Sequence, residues 1–156
     1  MGRQRLIACV LMVLGWTVAA AAKDIALISN KSNHLVDVAL PELVKICKGQ
    51  TSRWPDGKAV SVVIRDPALP EMRLVLEKVY GLSKEEVTAL IATANHNRVN
   101  HPAVVLADSD QDLVKKVEST PGAIGLVDVY AITGAVTVVR VGGKLPLEPG
   151  YTLHGN

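Results

Sequence analysis

Short apolar runs alternate with amphipathic segments along the chain. The runs are bounded by turn residues, which is typical of strands in an α/β sheet. They occupy 24–29, 59–64, 103–106, 123–127 and 136–141. Apolar residues at helical spacing fill the intervening segments, at 41–48, 72–79, 87–94 and 113–117. This alternation predicts one compact α/β domain.

Polar residues mark where two of the predicted helices begin. Ser83 with Glu86, and Ser109 with Asp112, have the spacing of a capping box, in which the first side chain accepts from a backbone amide of the first turn. The strand that follows the second of these helices contains Gly125. A glycine inside a buried strand indicates close backbone approach, either by a neighbouring helix or by a ligand.

The first 22 residues predict a secretory signal peptide. Arg3 and Arg5 precede an apolar run over 6–18, and the alanines at 19–22 provide a cleavage site before Lys23. Residues 6–9 (LIAC) imitate a lipoprotein cleavage box, but almost no apolar segment precedes Cys9. We therefore expect a periplasmic or secreted mature chain of residues 23–156 that forms a single domain. No stable membrane insertion is expected after the signal is removed.

Composition argues against several classes of partner. Without Arg3 and Arg5, the remaining 15 basic residues balance 15 acidic ones and form no basic block, so nucleic acid is not an expected partner. Cys47 is the only cysteine after the signal peptide, and its apolar neighbours favour a core residue over a reactive thiol. No cofactor is expected, because Gly142 and Gly143 follow a strand but precede no helix and so form no phosphate-cradling loop.

Polar side chains after the first strand are candidate ligand contacts. Ser29, Asn30 and Ser32 lie where α/β folds place ligands, at the carboxyl end of a strand. They can equally belong to an ordinary surface loop. His96 and His101 lie in a polar loop without a carboxylate or cysteine at ligand spacing, so no metal site is predicted there.

Four segments follow one another along the chain in a characteristic order, namely 43–49 (LVKICKG), 53–57 (RWPDG), 62–65 (VVIR) and 114–127, with its TPGAIG core. In this order they resemble the phosphate-type substrate-binding proteins of ABC transporters, which have the type II periplasmic binding protein fold. The resemblance implies a three-layer α/β sandwich like one lobe of such a protein, with a mixed, mostly parallel sheet flanked by helices. Family members normally close two lobes on the anion. We expect these residues to correspond to the second lobe alone, because no long segment before Asp24 is available in this sequence to build the first.

The resemblance also implies an anion site at Arg65. In the family, the second lobe grips phosphate with an arginine at a strand end, which Arg65 matches, and with Ser-Gly-Thr at the start of the next helix. In this chain Leu69, Pro70 and Glu71 stand at the Ser-Gly-Thr positions. Leucine has no hydroxyl, proline has no amide hydrogen, and glutamate adds a negative charge. We therefore expect phosphate binding to be weak.

Two functions remain open from the sequence. The first is a solute-binding role, in which a small oxyanion is held weakly by Arg65 with help from Ser29, Asn30 and Ser32. The alternative is an envelope interaction module. In that case the face that a second lobe would cover meets another protein or a second copy of this chain.

Catalysis is not expected. No serine, cysteine or threonine nucleophile lies in a recognisable activated context. Asp108, Asp110 and Asp112 resemble paired carboxylates, but acidic residues are favoured at the start of a helix as caps and dipole partners. The chain is therefore predicted to bind a partner and not to transform one.

Overall fold

The computed structural model describes residues 23–155, so the predicted signal peptide lies outside the described residues. Within this range the six strands are β1 (Ile25–Ser29), β2 (Asp37–Val38), β3 (Ser61–Arg65), β4 (Val104–Ala107), β5 (Ala123–Asp128) and β6 (Thr137–Val141). The helices are α1 (Leu40–Cys47), α2 (Arg73–Val75), α3 (Lys84–Ala94) and α4 (Asp110–Ser119). α2 is a single turn between a 3₁₀ turn (Pro70–Met72) and a π-helical turn (Leu76–Tyr80), so 70–80 forms one irregular helix.

The strands form one mixed sheet in the order β2-β6-β1-β5-β3-β4. β3 runs parallel to β4 and β5, and β2 runs parallel to β6. β1 is antiparallel to both of its neighbours, β5 and β6, so among the six described strands it alone runs in the opposite direction. The expectation of a mixed, mostly parallel sheet is confirmed. The two-residue strand β2 was not predicted from the sequence.

Alternate residues of the central strands enter two separate hydrophobic clusters, as the pleat of a strand requires. One face of the sheet packs against α1, α3 and the irregular helix 70–80, and its strand residues include Leu27, Ile64 and Leu126. The other face packs against α4, and its strand residues include Ile28 and Val63. The three-layer sandwich is therefore confirmed. Cys47 is fully buried in the first cluster, as predicted, and burial raises the pKa of its thiol to about 12.

Gly125 allows β5 to lie directly against α4. A Cβ atom added at this position would lie 2.7 Å from Leu113 Cδ2 and 2.9 Å from Val117 Cγ2. Both distances are shorter than ordinary van der Waals contact. Of the two explanations for this glycine, the structure shows approach by a neighbouring helix.

The two capping boxes differ in completeness. Both reciprocal hydrogen bonds form between Ser83 and Glu86, as predicted. The Ser109 side chain accepts from Asp112 N at 3.0 Å, but the Asp112 carboxylate accepts from Asp108 N at 3.0 Å and not from Ser109 N. Aspartate is one methylene shorter than the glutamate of a capping box. The predicted Ser109 cap of α4 is therefore correct, but the prediction of a reciprocal hydrogen bond from Ser109 N to the Asp112 carboxylate is wrong.

The C-terminal tail packs against the start of β1. Ile25 N donates to Leu153 O at 3.0 Å, and Leu153 is buried. The buried carboxylate of Asp24 accepts from Leu147 N at 2.6 Å and lies 2.6 Å from His154 Nδ1. No helix within 23–155 has the length and apolar character needed to cross a bilayer.

Candidate functional site

Arg65 occupies the carboxyl end of β3, where its backbone pairs with Ala107 of β4. Because β3, β4 and β5 are parallel, their carboxyl ends meet at one edge of the sheet, which is where α/β folds bind ligands. Arg65 Nη1 donates to Asp110 Oδ1 at 2.9 Å. Arg65 Nε is buried and has no hydrogen-bond partner among the described residues. Asp110 therefore uses only part of the donor capacity of the guanidinium.

An open cleft of about 470 Å³ lies beside Arg65, between the irregular helix 70–80 and the carboxyl end of β5. This volume falls within the usual range for small-molecule sites. Apolar side chains contribute to its lining, namely Ile25, Met72, Leu74, Val75, Leu126 and Val127. The charged residues that line it number four basic and four acidic, namely Lys23, Arg65, Arg73, Lys78, Glu71, Glu77, Asp110 and Asp128. The cleft thus combines apolar surface with balanced charges.

The backbone before the irregular helix has few free donors. Ala68 N donates to Asp66 Oδ1 at 2.8 Å, and Leu69 N donates to Asp66 O at 3.0 Å. Pro70 follows at the first helical position and has no N–H. The three successive positions 68–70 therefore offer no free amide to an anion, and of these Pro70 lines the cleft. Glu71 adds a carboxylate in the first turn.

Ser29, Asn30 and Ser32 lie at the opposite edge of the sheet from Arg65. The reason is the antiparallel direction of β1, which places Ser29 opposite Ile124, near the amino end of β5. The four predicted site residues therefore do not form one site. Sequence order alone could not reveal this, because it does not give the direction of a strand.

The loop that contains Asn30 is tied to the end of α4. Asn30 Nδ2 donates to Val117 O at 3.0 Å and to Glu118 O at 2.7 Å. Asn30 Oδ1 accepts from Ser32 N at 2.9 Å and from Ser32 Oγ at 2.7 Å. Asn33 Nδ2 donates to Ala123 O at 3.0 Å. These contacts connect the loop to the turn between α4 and β5.

Asp110 was interpreted from the sequence only as a helix cap, although it pairs with Arg65 in the structure. The two residues are 45 positions apart, so no local pattern links them. Within residues 23–155, no group of three or more His, Cys, Asp or Glu side chains is arranged to hold a metal ion.

No family profile matches the sequence, and no curated protein matches it. Solved structures do match the fold. An ABC-type phosphate transport receptor from Vibrio cholerae has a TM-score of 0.69 at 16% identity, covering 86% of this chain and 54% of that one. A putative phosphate ABC transporter substrate-binding protein from Clostridium perfringens, solved with bound phosphate, has a TM-score of 0.67 at 24% identity, covering 86% and 53%.

PstS from Borrelia burgdorferi gives a similar match, with a TM-score of 0.66 at 15% identity, covering 86% of this chain and 55% of that one. The chain thus spans about half the length of each of these proteins. At these identities the similarity concerns the fold. The described chain therefore has the fold of one lobe of the phosphate-type ABC transporter substrate-binding proteins.

Proposed function

We propose that this chain is an exported solute-binding domain whose oxyanion site, centred on Arg65, is weakened. The observation that carries the proposal is the position of Arg65, at the carboxyl edge of a sheet shared with phosphate-binding proteins. The structural neighbours are described as binding proteins, which supports binding over catalysis. Export rests on the signal peptide predicted from residues 1–22.

Competition by acidic groups supports a weak oxyanion site. An anion that approaches Arg65 must share the guanidinium with the Asp110 carboxylate, which already accepts from Nη1. Glu71 brings another negative charge to the lining of the same cleft. Ala68 N and Leu69 N already donate to Asp66, so neither of these backbone amides is free to stabilise the anion.

Isothermal titration of the mature protein with inorganic phosphate tests this proposal. We expect the wild type to bind in the millimolar range or not detectably. Asp110→Asn removes the carboxylate that competes for Arg65 and should bind phosphate at least about tenfold more tightly. A hydrogen bond to a charged group changes affinity by roughly that factor. Arg65→Ala should abolish the gain when it is combined with Asp110→Asn.

Asp108→Asn is the matched control, since it removes an equal charge from an exposed residue two positions before Asp110. It should leave phosphate affinity close to that of the wild type. Thermal melts of each variant establish that the proteins compared are folded. An Asp110→Asn variant that is folded but binds phosphate no better than the control would contradict the proposed competition.

A further inference from the structure

The cleft beside Arg65 offers more than a place for an inorganic anion. We infer that it binds a zwitterionic small molecule with an apolar part, of the amino-acid type. The carboxylate of the ligand would meet Arg65, its ammonium group would meet Asp110, and its hydrocarbon would lie on the apolar lining. This inference rests on the proposed solute-binding role and names the ligand class of the same site.

Arg65 has donor capacity that Asp110 does not use. Asp110 accepts from Nη1, and among the described residues the guanidinium makes no other hydrogen bond. Nε is buried, but the Arg65 side chain as a whole is 20% exposed and lines the cleft. A ligand carboxylate in the cleft can therefore accept a charge-assisted hydrogen bond from Arg65 while the ion pair with Asp110 stays in place.

Asp110 supplies the complementary charge. Its side chain remains one-third exposed (33%), so the carboxylate can accept from a ligand as well as from Arg65. In an α-amino acid the ammonium and carboxylate groups are one carbon apart, so both can reach the neighbouring Arg65 and Asp110 side chains. Asp110 repels a phosphate dianion. The Arg65–Asp110 pair, in contrast, offers each charge of a zwitterion a partner of opposite charge.

The remainder of the lining favours an apolar ligand side chain. Met72, Val75 and Leu126 line the cleft, and a methionine adapts its shape to different hydrocarbons. The charged residues of the lining are balanced, four basic and four acidic, so a ligand without net charge is not disfavoured electrostatically. A single phosphate ion would use neither the volume of about 470 Å³ nor the apolar surface.

Titration of the mature protein with leucine and its truncated analogues tests the inference. Isocaproate lacks the ammonium group, isoamylamine lacks the carboxylate, and glycine lacks the hydrocarbon side chain. Leucine should bind about tenfold or more tightly than each of them, because each analogue loses one set of contacts. Asp110→Asn should lower leucine affinity by about tenfold and raise phosphate affinity, whereas the Asp108→Asn control should change neither.

The outcomes separate this inference from the function on which it rests. Equal affinity for leucine and isocaproate would overturn the contact between the ammonium group and Asp110. If the protein fails to bind leucine but Asp110→Asn binds phosphate through Arg65, the inference of a zwitterionic ligand is overturned, whereas the proposed oxyanion site is retained. Absence of Arg65-dependent binding of either ligand, in wild type and in Asp110→Asn, would overturn both.

Discussion

A single glycine sets the distance between the sheet and the helix on its second face. Gly125 has no side chain, and Leu113 and Val117 of α4 occupy the space that a Cβ atom would need. Val63 O lies 3.3 Å from the same position, on the neighbouring strand. None of these three neighbours can move away freely, because Leu113 and Val117 are fully buried and Val63 O belongs to the backbone of β3.

Gly125→Ala should therefore destabilise the protein by about 1–3 kcal/mol, the usual cost of overpacking a core. Gly134→Ala is the matched control, since a Cβ atom at that exposed position meets nothing within 4 Å. The control should change stability by less than about 0.5 kcal/mol. Urea denaturation of the three proteins measures the difference. Equal stability of the two variants would show that β5 and α4 are not so closely packed.

The position of Arg65 could be predicted from the sequence, but its pairing with Asp110 could not. The end of an apolar run located Arg65 at a strand terminus, which the structure confirms. Its pairing with Asp110 depends on how α4 packs beside β3, which is a property of tertiary structure. Ser29 and Asn30 were correctly placed at the carboxyl end of a strand, but the edge of the sheet on which they lie depends on the direction of β1.

At the scale of elements, α4 depends on electrostatic contacts in its first turns. Lys116 Nζ donates to both Asp112 carboxylate oxygens at 2.7 Å, and Asp108 N donates to Oδ2 at 3.0 Å. These contacts, with Lys116 as the larger cause, hold the pKa of Asp112 below its ordinary value. The carboxylate is therefore favoured in its ionised form in the folded protein.

The sign of the resulting pH dependence follows from linkage. Because the pKa of Asp112 is lower in the folded protein than in the unfolded chain, its contribution is present above the unfolded pKa, about 3.9, and is lost as the pH falls through the folded pKa. Asp112→Asn should be less stable than wild type near neutral pH, and the difference should shrink in acid. Urea denaturation at a series of pH values measures this, with Asp108→Asn as the charge control. A difference that does not vary with pH would contradict the account.

The irregular helix 70–80 shows why element types are predicted better than their geometry. Its apolar spacing over 72–79 correctly indicated a helix, and Gly81 ends it with a positive φ of 61°. The hydrogen-bond pattern changes from 3₁₀ to α to π along its length. Apolar spacing does not distinguish these forms over so few residues. β2 was missed for a related reason, since two residues carry no periodicity.

At the scale of the whole molecule, the two ends of the described chain meet. Gly155 N donates to Lys23 O at 3.1 Å, so Lys23 belongs to the folded body. Its ammonium group lies 3.3 Å from Asp128 Oδ2, beside the cleft. Cleavage before Lys23 would thus leave the folded contacts of the domain in the mature protein.

We predict that the exported protein begins at Lys23, because the charged start, the apolar run and the alanine cluster together form a cleavable signal. N-terminal sequencing of protein recovered from outside the cytoplasm measures this directly. A mature chain that begins at a lipid-modified Cys9, or one that retains Met1, would contradict the prediction.

We propose that this lobe has the fold of the phosphate-binding proteins but a weakened anion site, because Leu69, Pro70 and Glu71 stand at the Ser-Gly-Thr positions. Calorimetric titration with phosphate of the wild type and of a variant carrying Ser-Gly-Thr at these positions tests it most directly. The replacement adds two hydroxyls and one amide and removes a carboxylate. Two restored hydrogen bonds to a charged ligand correspond to about two to four orders of magnitude in affinity. We predict millimolar or undetectable binding by the wild type and a measurable gain in the variant. Micromolar binding by the wild type that disappears in Arg65→Ala would contradict the claim.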